Sequence, residues 1–177
     1  NIIVHGMVLA EDGRKMSKRL SNYPDPLYIM NRYGADALRL YLLGSPVIRA
    51  EDLNFSEKGV QETQNKIVTR LRNVAAFYDL YKEAGGGEKP NSDNILDKWI
   101  VVRLEELVNM VTQGMENYEL DKAVRPINLF VDDLSTWYLR RSRERFKGEG
   151  GEDKKNALAT TQHVLGTFSK VIAPFGP

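Results

Sequence analysis

Lys15-Met16-Ser17-Lys18-Arg19 places three cations and a hydroxyl within five residues. Lysine ammonium groups are compact point charges that can follow phosphate oxygens as bonds are made and broken. The stretch therefore suits a mobile clamp on a polyphosphate. Read alone it suits a solvated basic turn equally well, because a motif this short also arises by chance. A second candidate runs from Trp137 to Lys147, where Arg140, Arg141, Arg143, Arg145 and Lys147 face a single anion, Glu144. A basic stripe on a chain whose formal net charge is only +1 is the footprint of a site that grips phosphates. The planar guanidinium fork matches phosphate, and Trp137 or Tyr138 could stack on an unpaired base. A plainer reading stands beside it: Trp137 continues a core stripe, and arginines at a helix C-terminus meet the helix dipole.

The elements that must hold these residues follow from spacing. Ile2 to Val4 and Met7 to Leu9 read as one strand, kinked at Gly6, and a polar loop carries the chain into Lys15. Asp25 and Pro26 are an N-cap and first-turn pair for a helix to Tyr33, which Gly34 ends. Ala35 to Leu43 reads as a second helix closed by Gly44-Ser45-Pro46, Asp52 to Phe55 as a short strand, and Ser56 as a further helix start. Four apolar stripes at helical spacing follow. They are Val60–Tyr81, Leu96–Met115, Leu120–Tyr138 (with Pro126 a possible kink) and Leu158–Ile172. Glycine-rich loops at 85–92 and 148–151 separate them. Short connections between amphipathic helices imply antiparallel neighbours. The fold expected is mainly α: a small α/β unit over residues 1–56, then an antiparallel four-helix bundle over 57–177.

The basic loop does not stand alone. It runs through Leu20-Ser21-Asn22-Tyr23-Pro24-Asp25-Pro26 into Tyr33-Gly34-Ala35-Asp36-Ala37-Leu38-Arg39. The whole passage resembles the signature loop and following helix of class I aminoacyl-tRNA synthetases. The likeness extends over nearly the entire chain. Asp132 to Phe146, with Trp137-Tyr138-Leu139-Arg140-Arg141-Ser142-Arg143 at its centre, is similar to the matching segment of isoleucyl-tRNA synthetases. The valine enzymes carry Glu where Arg140 stands, and the leucine enzymes lack the pattern. The chain departs from it at Lys147, where a Trp is usual.

The resemblance implies a connecting unit of the catalytic core that leads into an anticodon-binding helical domain. It implies ATP, with Mg2+, as the phosphate ligand of Lys15, Met16, Ser17, Lys18 and Arg19. Lys18 would stabilise charge on the β and γ phosphates, Lys15 would assist, Ser17 would hydrogen-bond in the closed loop, and Met16 would anchor it. An isoleucine tRNA would be the partner of Trp137, Tyr138, Arg140, Arg141, Arg143 and Arg145. The family's HIGH-type partner motif is absent from these residues, so the chain alone is expected to make no adenylate. Without its phosphate ligand and docking surface, the loop is expected to be disordered or arrested in an open pose. A valine-specific relative and a non-catalytic helical RNA-binding module are the alternatives.

Composition bounds the rest. The chain has 177 residues, 42% apolar and 28% charged, the balance of a soluble globular protein. It lacks cysteine and has only His5 and His163, which excludes a disulfide framework and leaves no basis for a thiolate or histidine metal site. A cytoplasmic monomer is the expectation. The opening on Asn1 and the end at Pro174-Phe175-Gly176-Pro177, with no evident terminal element, look like a piece of a longer protein.

Overall fold

A computed structural model describes residues 4–82, 92–148 and 151–177. The described chain is mainly helical, with one small parallel sheet. Strand β1, Val8–Leu9, pairs with β2, Leu53–Asn54, in the register Val8 to Leu53 and Leu9 to Asn54. Parallel strands need a crossover connection. Here it contains the basic loop, helix α1 (Pro26–Tyr33), helix α2 (Ala35–Leu43) and a 3₁₀ turn, Pro46–Arg49. The basic loop therefore leaves the end of β1 and is backed by the helices that return the chain to β2.

The expected strand is shorter than its β-rich composition suggests. Residues 1–3 lie outside the described residues, and Val4 to Met7 are not strand. The ladder frays at Gly6 and Met7. Gly6 N–H donates to the Val47 carbonyl, and Met7 N–H is taken by the Asp52 side chain. Gly6 also lies so close to the Glu51 backbone that a Cβ there would fall 1.9 Å from its carbonyl oxygen.

The helix starts are those the sequence signals. Asp25 accepts from Leu27 N–H with Pro26 in the first turn, and Ser56 accepts from Gly59 N–H. From Ser56 the chain runs as one rod through α3 (Glu57–Thr63), a π-helical segment (Gln64–Thr69) and α4 (Arg70–Tyr81). Helix α5 is Ile95–Glu116. A further rod joins α6 (Leu120–Asp132), a second π-helical segment (Asp133–Leu139) and α7 (Arg140–Lys147). Helix α8 is Glu152–Ile172. The expected loop at 85–92 lies almost wholly outside the described residues, as do Glu149 and Gly150.

These rods share one core. Ile100, Leu104, Ile127, Phe130, Leu134, Tyr138, Phe146, Val164 and Phe168 are all buried in it. Phe130 stacks on Phe168 with ring centroids 5.4 Å apart, and Phe77 meets Phe146 edge-on at 5.2 Å. Each such aromatic contributes about 1.5–3 kcal/mol by leaving water. On α8 the buried stripe is Ala157, Thr160, Thr161, Val164 and Phe168, with Leu158, Leu165 and Ile172 at its margin. Leu40 and Phe175 belong to the same core, so α2 and the chain's last residues are seated on the helices. Arg39 donates to the carbonyls of Pro174 and Phe175, and Phe175 is buried. The end of the chain is thus a docked turn. A smaller core of Ile29, Tyr33, Ala37, Phe55 and Val60 lies beneath the basic loop.

Helices α5 and α6 approach closely at Gly114. A Cβ there would lie 2.8 Å from Ala123 N and 2.9 Å from its Cβ, and backbone cannot give way as a side-chain tip can. Gly114→Ala is expected to destabilise the chain by about 1–3 kcal/mol, read by urea unfolding. A neutral or stabilising result would mean that the two helices part at no cost.

Candidate functional site: a phosphate loop and an arginine face

The loop between β1 and the cationic motif is a tight hairpin. Asp12-Gly13 forms its turn, with Gly13 at φ +79°, a left-handed conformation glycine adopts freely. Ala10 N–H donates to the Arg14 carbonyl, Gly13 N–H to the Ala10 carbonyl, and Lys15 bridges antiparallel to Leu9. Arg14 pairs with Asp12 and holds that carboxyl below its usual range, mainly through their side-chain hydrogen bond. Arg14 is thereby withdrawn from the free cations.

Asn22 closes the motif itself. Its Oδ1 accepts from Ser17 N–H at 2.9 Å and its Nδ2 donates to the Lys15 carbonyl at 3.2 Å, so one side chain clasps the backbone on both sides of Met16. Leu20 N–H and Ser21 N–H then donate back to the Ser17 and Lys18 carbonyls, with Ser21 left-handed at φ +46°. Met16 packs against the small core beneath, the anchoring role its apolar side chain suits. Lys15, Lys18 and Arg19 are exposed, and no carboxylate among the described residues pairs with them. The loop is described throughout, as a folded-back turn. Beside it lies a cleft of about 410 Å³ lined by Glu11, Met16, Asn22, Tyr23, Phe55 and Glu57. Lys18, Ser21 and Tyr23 border a second depression.

Asn22 received no role from the sequence. An asparagine in a turn, able to bond backbone groups nearby, was the available signal. Asn22→Ala is expected to speed tryptic cleavage after Lys18 and Arg19 several-fold while leaving global unfolding unchanged. An unchanged cleavage rate would remove the clasp from the account.

The arginine segment divides into two faces. Trp137 is 47% exposed, with the Arg141 guanidinium 3.8 Å from its ring centroid, and Arg140, Arg141 and Arg143 are exposed. No carboxylate among the described residues pairs with those three, whereas Lys147 pairs with Glu144. The core role considered for Trp137 does not hold. Through the π-helical turn, which has more residues per turn, the buried positions run four apart as Leu134, Tyr138, Ser142 and Phe146, and Trp137 stays outside.

Two expected RNA contacts are corrected by burial. Tyr138 is fully buried, and its hydroxyl donates to Asp97 Oδ1 at 2.8 Å, so it cannot stack on a base. Burial, then the Asp97 charge, raises its phenol far above the ordinary range. The Arg145 side chain is only 12% exposed. Its Nη1 and Nη2 donate to the two Asp97 oxygens at 2.8 and 2.7 Å, and its Nε and Nη2 donate to Asp153 at 2.9 and 2.7 Å. Burial alone would lower its pKa, but these bonds outweigh it and raise it. Ser92 Oγ also donates to Asp97, at 2.5 Å. Asp97 sits in the first turn of α5 and Asp153 in that of α8, where a sequence shows only acids suited to a helix dipole.

Comparison with known proteins adds three facts. Residues 1–55 match the family model for class I tRNA synthetases of the I, L, M and V group, and residues 97–177 match that for the anticodon-binding domain of tRNA ligases. An isoleucine–tRNA ligase of Chlamydia trachomatis serovar D is 50% identical over the whole chain, as is one of Chlamydia caviae. The chain spans 18% of the length of these relatives. Among solved structures, the agnB2 LeuRS of Agrobacterium radiobacter K84 in a ternary complex with tRNA and LeuAMS is similar over 98% of this chain and 21% of its own. Its TM-score is 0.71 at 25% identity. The methionyl-tRNA synthetase of Mycobacterium tuberculosis bound by methionyl-adenylate has a TM-score of 0.78 at 22% identity, over 98% of this chain and 35% of its own, a likeness of fold.

Proposed function

Because the chain belongs to the isoleucine–tRNA ligase family of class I aminoacyl-tRNA synthetases, we propose that it contributes two parts to that ligase reaction. Residues 1–56 supply the ATP loop, and residues 57–177 are an RNA-binding unit of four antiparallel helices. Lys18 stabilises the charge that grows on the β and γ phosphates as isoleucine attacks the α-phosphate of ATP. Lys15 and Arg19 bind the triphosphate, Ser17 hydrogen-bonds in the closed loop, and Met16 fixes the loop to the core beneath. The exposure of Lys15, Lys18 and Arg19, and their lack of ion pairs among the described residues, fit such a ligand. Mg2+ would come bound to the nucleotide phosphates.

Trp137, Arg140, Arg141 and Arg143 are the proposed contacts to an isoleucine tRNA. The observation that carries this is the exposed Trp137–Arg141 stack, 3.8 Å from guanidinium to ring centroid. It presents a flat cationic surface on which an unpaired base can lie. Isoleucine is preferred to valine because the relatives at 50% identity are isoleucine enzymes. The setting proposed is a cytoplasmic monomer. No described helix is long and apolar enough to cross a membrane.

The test is binding of this chain to an isoleucine tRNA transcript and to one with a swapped anticodon, across a salt series. Affinity that falls with salt and with the swap is expected. Arg141→Ala should weaken binding by about 1–3 kcal/mol, from the lost stacking and phosphate contact together. Equal binding of both transcripts would reduce the face to a sequence-blind phosphate grip, and no binding at low salt would overturn the reading. The chain alone should give no isoleucine-dependent pyrophosphate exchange, and detectable exchange would contradict that.

A further inference from the structure

Next to the exposed arginines stands one that is nearly buried, Arg145, whose side chain is only 12% exposed. Arg140, Arg141 and Arg143 lie on a single stretch of rod between Tyr138 and Arg145. Both of those flanking side chains end on the same buried carboxylate, Asp97, at 2.8 Å from Tyr138 Oη and 2.7–2.8 Å from Arg145. Arg145 also reaches across to Asp153 at the start of α8. The stretch is therefore pinned at two points, seven residues apart, to a third element, α5. Its rotation about its own axis is fixed by charge-assisted hydrogen bonds of defined direction. That rotation decides which side chains point outward. A continuous α-helical phase would bring Arg141, seven residues on from Leu134, onto the core stripe, whereas across the π-helical turn Ser142 and Phe146 take the inward places and Arg141 stays outside beside Trp137.

We infer that Arg145, with Asp97 and Asp153, is a positioning unit for RNA binding: it locks the rotation that presents Trp137, Arg140, Arg141 and Arg143 together, and does not itself touch RNA. This rests on the RNA-binding reading above. Only a guanidinium can do it, since its two edges serve two carboxylates at once and an ammonium has no such fork. The buried pair is costly to form and contributes orientation, which is how such pairs are best rationalised when they set a register.

A direct-contact role for Arg145 makes the opposite prediction for one variant. Asp97→Asn keeps the shape of the site but frees the guanidinium from its inner partner. If Arg145 positions, tRNA affinity falls about tenfold, and the slope of log affinity against log salt drops by roughly one or more as phosphate contacts are lost. If Arg145 binds phosphate itself, affinity stays level or rises. Asp153→Asn, on the more exposed side of the network, should shift binding in the same direction by less, and covers the case that Asp97→Asn does not fold. Both are measured on this chain, with isoleucine tRNA transcript as the probe. The temperature is one at which circular dichroism shows the variant fully folded, so lost stability alone cannot move the result. Arg140→Ala and Arg141→Ala are measured beside them. If those lower affinity and Asp97→Asn and Asp153→Asn do not, the positioning role is overturned and the RNA-binding reading stands. If none of the four does, it is the RNA-binding reading that fails.

Discussion

Lys18→Ala in the full-length synthetase should lower kcat for isoleucine activation by about 10²–10³-fold, with little change in KM for ATP. The physical argument is differential. Lys18 is exposed and has no carboxylate partner among the described residues, so its charge is uncommitted before the reaction. An ammonium that meets phosphate oxygens most closely when charge moves onto the leaving pyrophosphate stabilises the transition state more than bound ATP. Lys15 is placed differently. Its backbone is tied to Leu9 by the antiparallel bridge and to Asn22 through its carbonyl, so it is the fixed end of the loop. Lys18 lies beyond the clasp, at the head of the turn that Ser21 closes. Lys15→Ala should therefore raise KM for ATP with a smaller fall in kcat. Steady-state ATP–pyrophosphate exchange separates the two cases. A Lys18→Ala enzyme with raised KM and intact kcat would leave Lys18 as a ground-state binding residue.

What the sequence made legible follows the range of the forces concerned. Helix starts rest on contacts within a few residues, and Asp25, Pro26 and Ser56 announced them correctly. The stripes through Ile100, Leu104, Ile127 and Phe130 were legible because an uninterrupted α-helix keeps its phase. The stripe through Val60, Ile67 and Val74 held even across the first π-helical segment, whereas after Leu134 the inward positions fall four apart, at Tyr138, Ser142 and Phe146. Nothing in Asp133 to Leu139 marks the π-helical turn, so Trp137 stayed open between core and RNA contact, and Tyr138 and Arg145 were grouped with the exposed arginines. Long-range polar contacts were equally hidden. Asp97 lies 48 residues from Arg145 and reads as an ordinary first-turn acid. Among the described residues, the strand expected through Val4 and Met7 to Leu9 narrows to Val8–Leu9, because strand length depends on a partner and β2 offers two residues. The loop motif could be found from its residue types, whereas its clasp by Asn22 could only be seen once the chain was folded back.

The second large effect concerns stability. Arg145→Met should destabilise the chain by about 3–5 kcal/mol in urea unfolding. At about 2–4 °C per kcal/mol for a chain of this size, that lowers the melting midpoint by roughly 6–20 °C. The size comes from what is left behind. Asp97 is buried, and without Arg145 its side-chain donors among the described residues are two hydroxyls, Tyr138 and Ser92. Arg143→Met, on the exposed face, should change stability by no more than about 0.5 kcal/mol. The double variant Arg145→Met/Asp97→Asn should recover part of the loss, since it removes the stranded charge as well as its partner. Acid adds an independent check. Arg145 depresses the Asp153 pKa, chiefly through their side-chain hydrogen bond. The corresponding stability is complete above the carboxyl's ordinary value of 3.8 and is lost as pH falls through the lowered one. In Arg145→Met that contribution is absent, so the gap between wild type and variant should narrow as pH drops below about 4. A loss under 1 kcal/mol at neutral pH, or a gap that does not narrow in acid, would mean that the guanidinium is not holding the two carboxylates, and the rotation of the arginine face would need another cause.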